Sequence, residues 1–76
     1  MNFQITNSLE EANVIRFEEG KKEWGVNKYK FYEIIYGVID EAIGEEYYII
    51  DDYGRKNVAA LLCIKGTLYK TNENEG

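Results

Sequence analysis

The chain reads as a small α+β domain, with one long amphipathic helix packed on a small antiparallel sheet. Three observations predict this. Apolar residues in NKYKFYEIIYGVIDEAIG recur at helical spacing between a capping residue and a glycine. The segment after that glycine alternates with the period of a strand. The DDYG stretch then supplies turn chemistry through Asp and Gly, as a hairpin requires.

Taken in order, Phe3 and Ile5 alternate like a short strand. Ser8 to Glu11 matches a capping box and predicts a short helix over 9–18. Its apolar residues Leu9, Ala12, Val14, Ile15 and Phe17 scatter round the helical wheel, and NVIRF fits a strand equally well. The central helix is expected over 28–43. Asn27 suits its N-cap and Gly44 its C′ position. Phe31, Ile34, Ile35, Val38 and Ala42 fall within an arc of roughly 100°. Tyr32, Tyr36, Ile39 and Ile43 widen that arc to roughly 200°, more than one packed layer needs. A helix sunk deeply into a small core would account for this; alternatively the flank meets a partner or a second copy, which makes it the candidate surface for self-association, as in a homodimer.

A strand over 46–52 follows, with its return strand over 57–64. VAALLC also fits a turn of helix, because Ala and Leu favour helix. Lys65-Gly66 offers a tight turn into a third strand over 67–70, and residues 71–76 read as a frayed polar tail. The expected core is Phe31, Ile35, Val38, Ala42, Ile49, Leu61 and Ile64.

Seventy-six residues correspond to a single domain, 1–76. A chain this short buries only about 60% of its unfolded surface, so its stability is marginal. Cys63 is the single cysteine and there is no histidine, which leaves neither an internal disulfide nor a structural zinc site. Cys63 itself is expected to be a small buried hydrophobe. No apolar run approaches the roughly 20 residues that cross a bilayer. The N-terminal sequence lacks the pattern of a signal peptide, so a cytoplasmic protein is expected. Phe, Tyr, Met, Ile, Asn and Lys total 34 residues against 13 for Gly, Ala, Arg and Pro, a bias that points to a low-GC bacterium or its phage.

The residue inventory argues against an enzyme. Nucleophilic catalysis needs a nucleophile beside a base, and no histidine accompanies Cys63. There is no glycine-rich phosphate loop. Asp51 and Asp52 are neighbours on a strand and diverge, as Asp40 and Glu41 do on a helix. No cofactor is implied. A Glu41, Glu45 and Asp51 metal site is conceivable, but it matches no known loop pattern, and no metal is assigned.

Charge distribution is the informative feature. The net charge of −5 disfavours general nucleic-acid affinity and suits a basic partner. Residues 40–52 hold six acids and no base, whereas 21–30 hold four lysines against one glutamate. On a 28–43 helix, Lys28 and Lys30 would sit at the positive end of the macrodipole, and Asp40 and Glu41 at the negative end. Cross-hairpin pairing, for example of Arg55 or Lys56 with Glu41, would compensate. Alternatively the acids form a partner-binding face of Glu41, Glu45, Glu46, Tyr47, Tyr48, Asp51, Asp52 and Tyr53, since tyrosine is enriched at interfaces. The reading adopted is a small non-enzymatic inhibitor or regulator of a protein partner, of the phage counter-defence or host-takeover type, its acids spaced like phosphates. An antitoxin or immunity protein neutralising a basic toxin fits the same profile. A winged-helix-like regulator, binding nucleic acid with Asn27, Lys28 and Lys30 at the helix start, Trp24 on a base and Arg55 and Lys56 at a wing tip, is the competing class.

Overall fold

The helix expected over 28–43 is absent; that stretch is most of a β-hairpin. The computed structural model describes residues 2–72. It contains strands β1 (Asn2–Thr6), β2 (Val14–Phe17), β3 (Phe31–Asp40), β4 (Gly44–Ile50), β5 (Lys56–Asn57) and β6 (Gly66–Asn72). A 3-10 turn spans Lys22–Trp24, and a short helix, α1, spans Ala59–Cys63. The strands form one six-stranded antiparallel sheet in the order β1-β6-β2-β3-β4-β5. The α+β architecture with a long helix is thereby overturned in favour of a mostly β fold.

The reason lies in side-chain shape. Seven of the nine residues 31–39 are β-branched or aromatic, types that pack well on a pleated surface and lose rotamer freedom in a helix. Gly37 in their midst would weaken a helix by about 1 kcal/mol. Asp40 then closes the hairpin turn, its Oδ1 accepting the Ile43 N–H at 2.8 Å. Gly44, read as a helix C′ glycine, is the φ +83° residue of that turn. Ile34 faces Ile49, Ile35 faces Tyr48 and Tyr36 faces Tyr47. The wide apolar arc of the supposed helix was a strand with apolar groups on both faces.

The other elements shift less. The helix expected over 9–18 is a turn followed by β2. The return strand expected over 57–64 is only β5 plus α1, with Asn57 Oδ1 capping the helix by accepting the Ala60 N–H at 2.8 Å. The third strand, expected over 67–70, is β6 and reaches Asn72; residues 73–76 of the expected tail lie outside the described residues. The Phe3 and Ile5 strand is β1, paired with β6.

One face of the sheet carries the core. Ile15, Tyr32, Ile49 and the fully buried Phe17 pack under Val26, Ala60, Leu61 and Ile64, with Leu9, Trp24, Ile34, Tyr47 and Leu68 at the margin. Of the expected core, Ile49, Leu61 and Ile64 are buried, but Phe31, Val38 and Ala42 are exposed and Ile35 is half-buried. Cys63, expected inside, is exposed at the end of α1. Sheet and helix assign opposite weights to two residues. Phe17→Ala should cost about 3–5 kcal/mol, enough to empty much of the folded state of so small a domain. Val38→Ala should cost less than about 0.5 kcal/mol. Chemical denaturation of both variants checks the order.

Candidate functional site

The two aspartates of DDYG are not free acids on a rim. They follow β4 directly, at the entry to the turn, and reach in different directions. Asp51 is 4% exposed and turns into its own loop. Its Oδ1 accepts the N–H groups of Tyr53 at 2.9 Å and Arg55 at 3.0 Å. Its Oδ2 accepts Arg55 Nε at 2.9 Å and Asn57 Nδ2 at 3.1 Å. Asp52 turns toward residues 27–32. It receives Lys30 Nζ at 2.6 Å, the Tyr32 hydroxyl at 2.9 Å and the Asn27 side-chain amide. The Tyr32 oxygen in turn accepts the Asn27 N–H at 2.7 Å.

The backbone and neighbouring side chains complete the join. The Asp52 N–H donates to Gly25 O at 2.7 Å, the Tyr53 hydroxyl to Lys22 O at 2.7 Å and Asn57 Nδ2 to Trp24 O at 2.9 Å. Gly25 has φ +72°, and a Cβ there would lie 2.9 Å from both Asp51 Cγ and Tyr53 Cδ2. Residues 51–57 thus clamp the 22–32 segment over the core.

The electrostatics follow from these partners. Burial alone would push the Asp51 carboxyl up, but the donors from Arg55, Asn57 and Tyr53 outweigh it and hold it below the ordinary aspartate range. The Lys30 ammonium holds Asp52 down against burial, helped by Tyr32 and Asn27. Asp52 raises Lys30 in return. Burial raises the Tyr32 phenol, and Asp52 adds to this against the opposing Asn27 N–H.

The expected acidic face is accordingly divided. Asp51 and Asp52 are structural. Tyr48 is buried, with Lys56 Nζ 5.4 Å from its ring centre. Tyr53 is exposed but tethered by its hydroxyl, and Tyr47 is half-buried against Tyr36, with ring centres 4.7 Å apart. Glu41, Glu45 and Glu46 stand exposed with no ion pair among the described residues. They cluster at the end of the β3–β4 hairpin, beyond the reach of β2 and β5. Exposed apolar groups accompany them there: Tyr36 at 56%, Val38 at 53% and Ile43 at 57%.

Other expected groupings dissolve. Tyr32 is in the core, Tyr36 shares its face, Ile39 points the other way and Ile43 is in the turn, so they form no single self-association stripe. Lys28 and Lys30 flank no helix start. Trp24 is half-buried against the core, Arg55 holds Asp51, and Lys56 Nζ donates to Val38 O at 2.7 Å rather than reaching Glu41. The winged-helix arrangement is therefore lost. Among the described residues no group of three or more acids or cysteines is placed to hold a metal, and Glu41, Glu45 and Asp51 do not converge. Among the described residues no helix is long and apolar enough to cross a membrane.

In comparisons with known proteins, no family model, no curated protein and no solved structure matches the chain. The functional reading accordingly rests on geometry.

The clamp carries a pH prediction. Carboxylates held low in the folded state contribute stability above their unfolded pKa, near 4, and that stability is lost as pH falls through the lower folded values. Lys30 and Tyr32, both raised, contribute below their unfolded values, near 10, and lose that contribution as pH rises through the folded ones. Stability should therefore hold a plateau from about pH 5 to 9 and fall on both sides. Asp51→Asn should cost about 1.5–3 kcal/mol at pH 7 and flatten the acid limb. Urea unfolding across pH checks both.

Proposed function

We propose that the protein is a non-enzymatic inhibitor or regulator that binds a protein partner with a basic surface through the β3–β4 arm. The observation that carries this is the arm itself. Glu41, Glu45 and Glu46 have no ion pair among the described residues and stand there beside exposed Tyr36, Val38 and Ile43. Interfaces combine such aromatic and apolar contact area with a polar rim. Uncompensated like charge on one arm steers association with a basic surface. The clamp acids contribute nothing to that surface, because their oxygens are already bonded within the chain.

Small size, net acidity and low-GC composition are in keeping with a counter-defence or host-takeover inhibitor. Neutralisation of a basic toxin, as by an antitoxin or immunity protein, would use the same arm. Carboxylates presented on a narrow hairpin can occupy a groove built for phosphates.

Immobilised protein should retain one basic protein from a low-GC bacterial lysate after nuclease treatment and release it at high salt. Glu41→Lys with Glu45→Lys and Glu46→Lys should weaken that capture at least about tenfold. Glu10→Lys with Glu19→Lys and Glu23→Lys, an equal charge change at exposed positions elsewhere, should leave it intact. Capture that survives the first set, or that needs nucleic acid, would overturn the proposal.

A further inference from the structure

An open sheet ends in strands whose outer N–H and C=O groups can template another chain, and proteins usually blunt such edges with charge, bulges or brevity. Among the described residues, most free edges of the sheet are blunted. β5 is two residues long and begins with Lys56 beside Arg55. The free side of β4 carries Glu45 and Glu46. The free side of β3 beyond Ile34 includes an irregular register between Val38 and Asp40. β1 has none of these devices. Its sequence NFQIT holds no charge, proline or glycine, and all five residues pair with β6 in unbroken register. It is the terminal strand, and among the described residues no strand pairs with its outer side.

The exposed side chains match that edge. Ile5 is 71% exposed and Phe3 is 42% exposed. Both lie on the sheet face opposite the core, where Phe3 packs against Phe31 and Tyr69, with ring centres 5.1 and 5.7 Å away. Arg16 sits in the same group, its guanidinium 5.6–5.9 Å from the rings of Tyr29, Phe31 and Tyr69. Phe3 is thus already held in place to meet a neighbour.

We propose that β1 is a homotypic docking edge, on which two copies of this chain pair antiparallel about a two-fold axis at Gln4. That register is self-complementary. It sets Phe3 of each copy opposite Ile5 of the other on one face, and Gln4 opposite Gln4 on the other face. Asn2 then meets Thr6. An isologous interface needs this reciprocity, and aromatic–β-branched pairs directly opposite are favourable cross-strand neighbours. Charge selects the occupant. In a chain of net charge −5, residues 1–9 contain no charged side chain, so two acidic copies can meet there without opposing carboxylates. The docking edge is independent of the acidic arm, which stays free in the dimer.

Sedimentation velocity over a wide concentration range, with disulfide trapping in a Cys63→Ser background, tests this. A concentration-dependent dimer is expected, weakened about tenfold by Ile5→Lys. Gln4→Cys should give a disulfide-linked dimer on mild oxidation, since facing residues approach within bridging distance. Asn2→Cys alone should not, because it faces Thr6. Thermal melting shows whether Ile5→Lys is folded; if it is not, the trapping pattern alone decides. A monomer at every concentration, a dimer indifferent to a folded Ile5→Lys, or trapping as efficient at Asn2 as at Gln4 would overturn the proposal.

Discussion

The structure depends on two adjacent carboxylates doing different jobs. An ionised carboxylate has about four acceptor positions. Asp51 fills all four, with the Tyr53 and Arg55 N–H groups, Arg55 Nε and Asn57 Nδ2. That fixes the turn after β4 and sets Asn57 to cap α1. Asp52 gathers Lys30, Tyr32 and Asn27 and so ties the long β2–β3 connection to the same turn. Without those bonds, residues 18–30 would have little regular structure to hold Val26 and Trp24 over Phe17 and Ile49. A domain with no disulfide and a small core gains most from polar cross-links of this kind. Gly25 shows how close the two segments lie, since no side chain fits between its backbone and Asp51.

The same clamp explains a charge pattern that looks unfavourable in the sequence. Lysines near residues 21–30 and acids near 40–52 would oppose the dipole of a central helix. A sheet has only a small net dipole, and Lys30 meets Asp52 directly across 22 residues of chain. Within residues 40–52, the glutamates left without an ion pair among the described residues are those on the arm. Internal and external carboxylates of this stretch are thereby separated, and Glu41, Glu45 and Glu46 stay outward on the arm. The uncharged edge strand lies at the far end of the strand order from the β4–β5 side.

Legibility from sequence was uneven for physical reasons. The β4 segment, the short N-terminal strand and the last strand followed from alternation and turn residues. Ile49, Leu61 and Ile64 were recognisable as core. The central segment failed because an apolar run with groups on both faces satisfies helical and strand spacing at once. There β-branched and aromatic content, rather than spacing, was the deciding signal. Asn27 and Gly44 reinforced the error, since the residue types that cap helices also make turns. The clamp was only half visible. DDYG announced a turn, but nothing local showed that Asp52 would find Tyr32 and Lys30. The Arg16, Tyr29, Phe31 and Tyr69 group was hidden for the same reason, being assembled from three strands and a loop.

The most direct test of the clamp is an NMR titration of the Asp51 and Asp52 carboxyl carbons with the amides of Tyr53, Arg55 and Asn27, from neutral pH downward. Both carboxyls should titrate below the ordinary aspartate range. The Tyr53 and Arg55 amides should move with Asp51, and the Asn27 signals with Asp52. Carboxyls titrating at ordinary values, with amides that ignore them, would contradict the account.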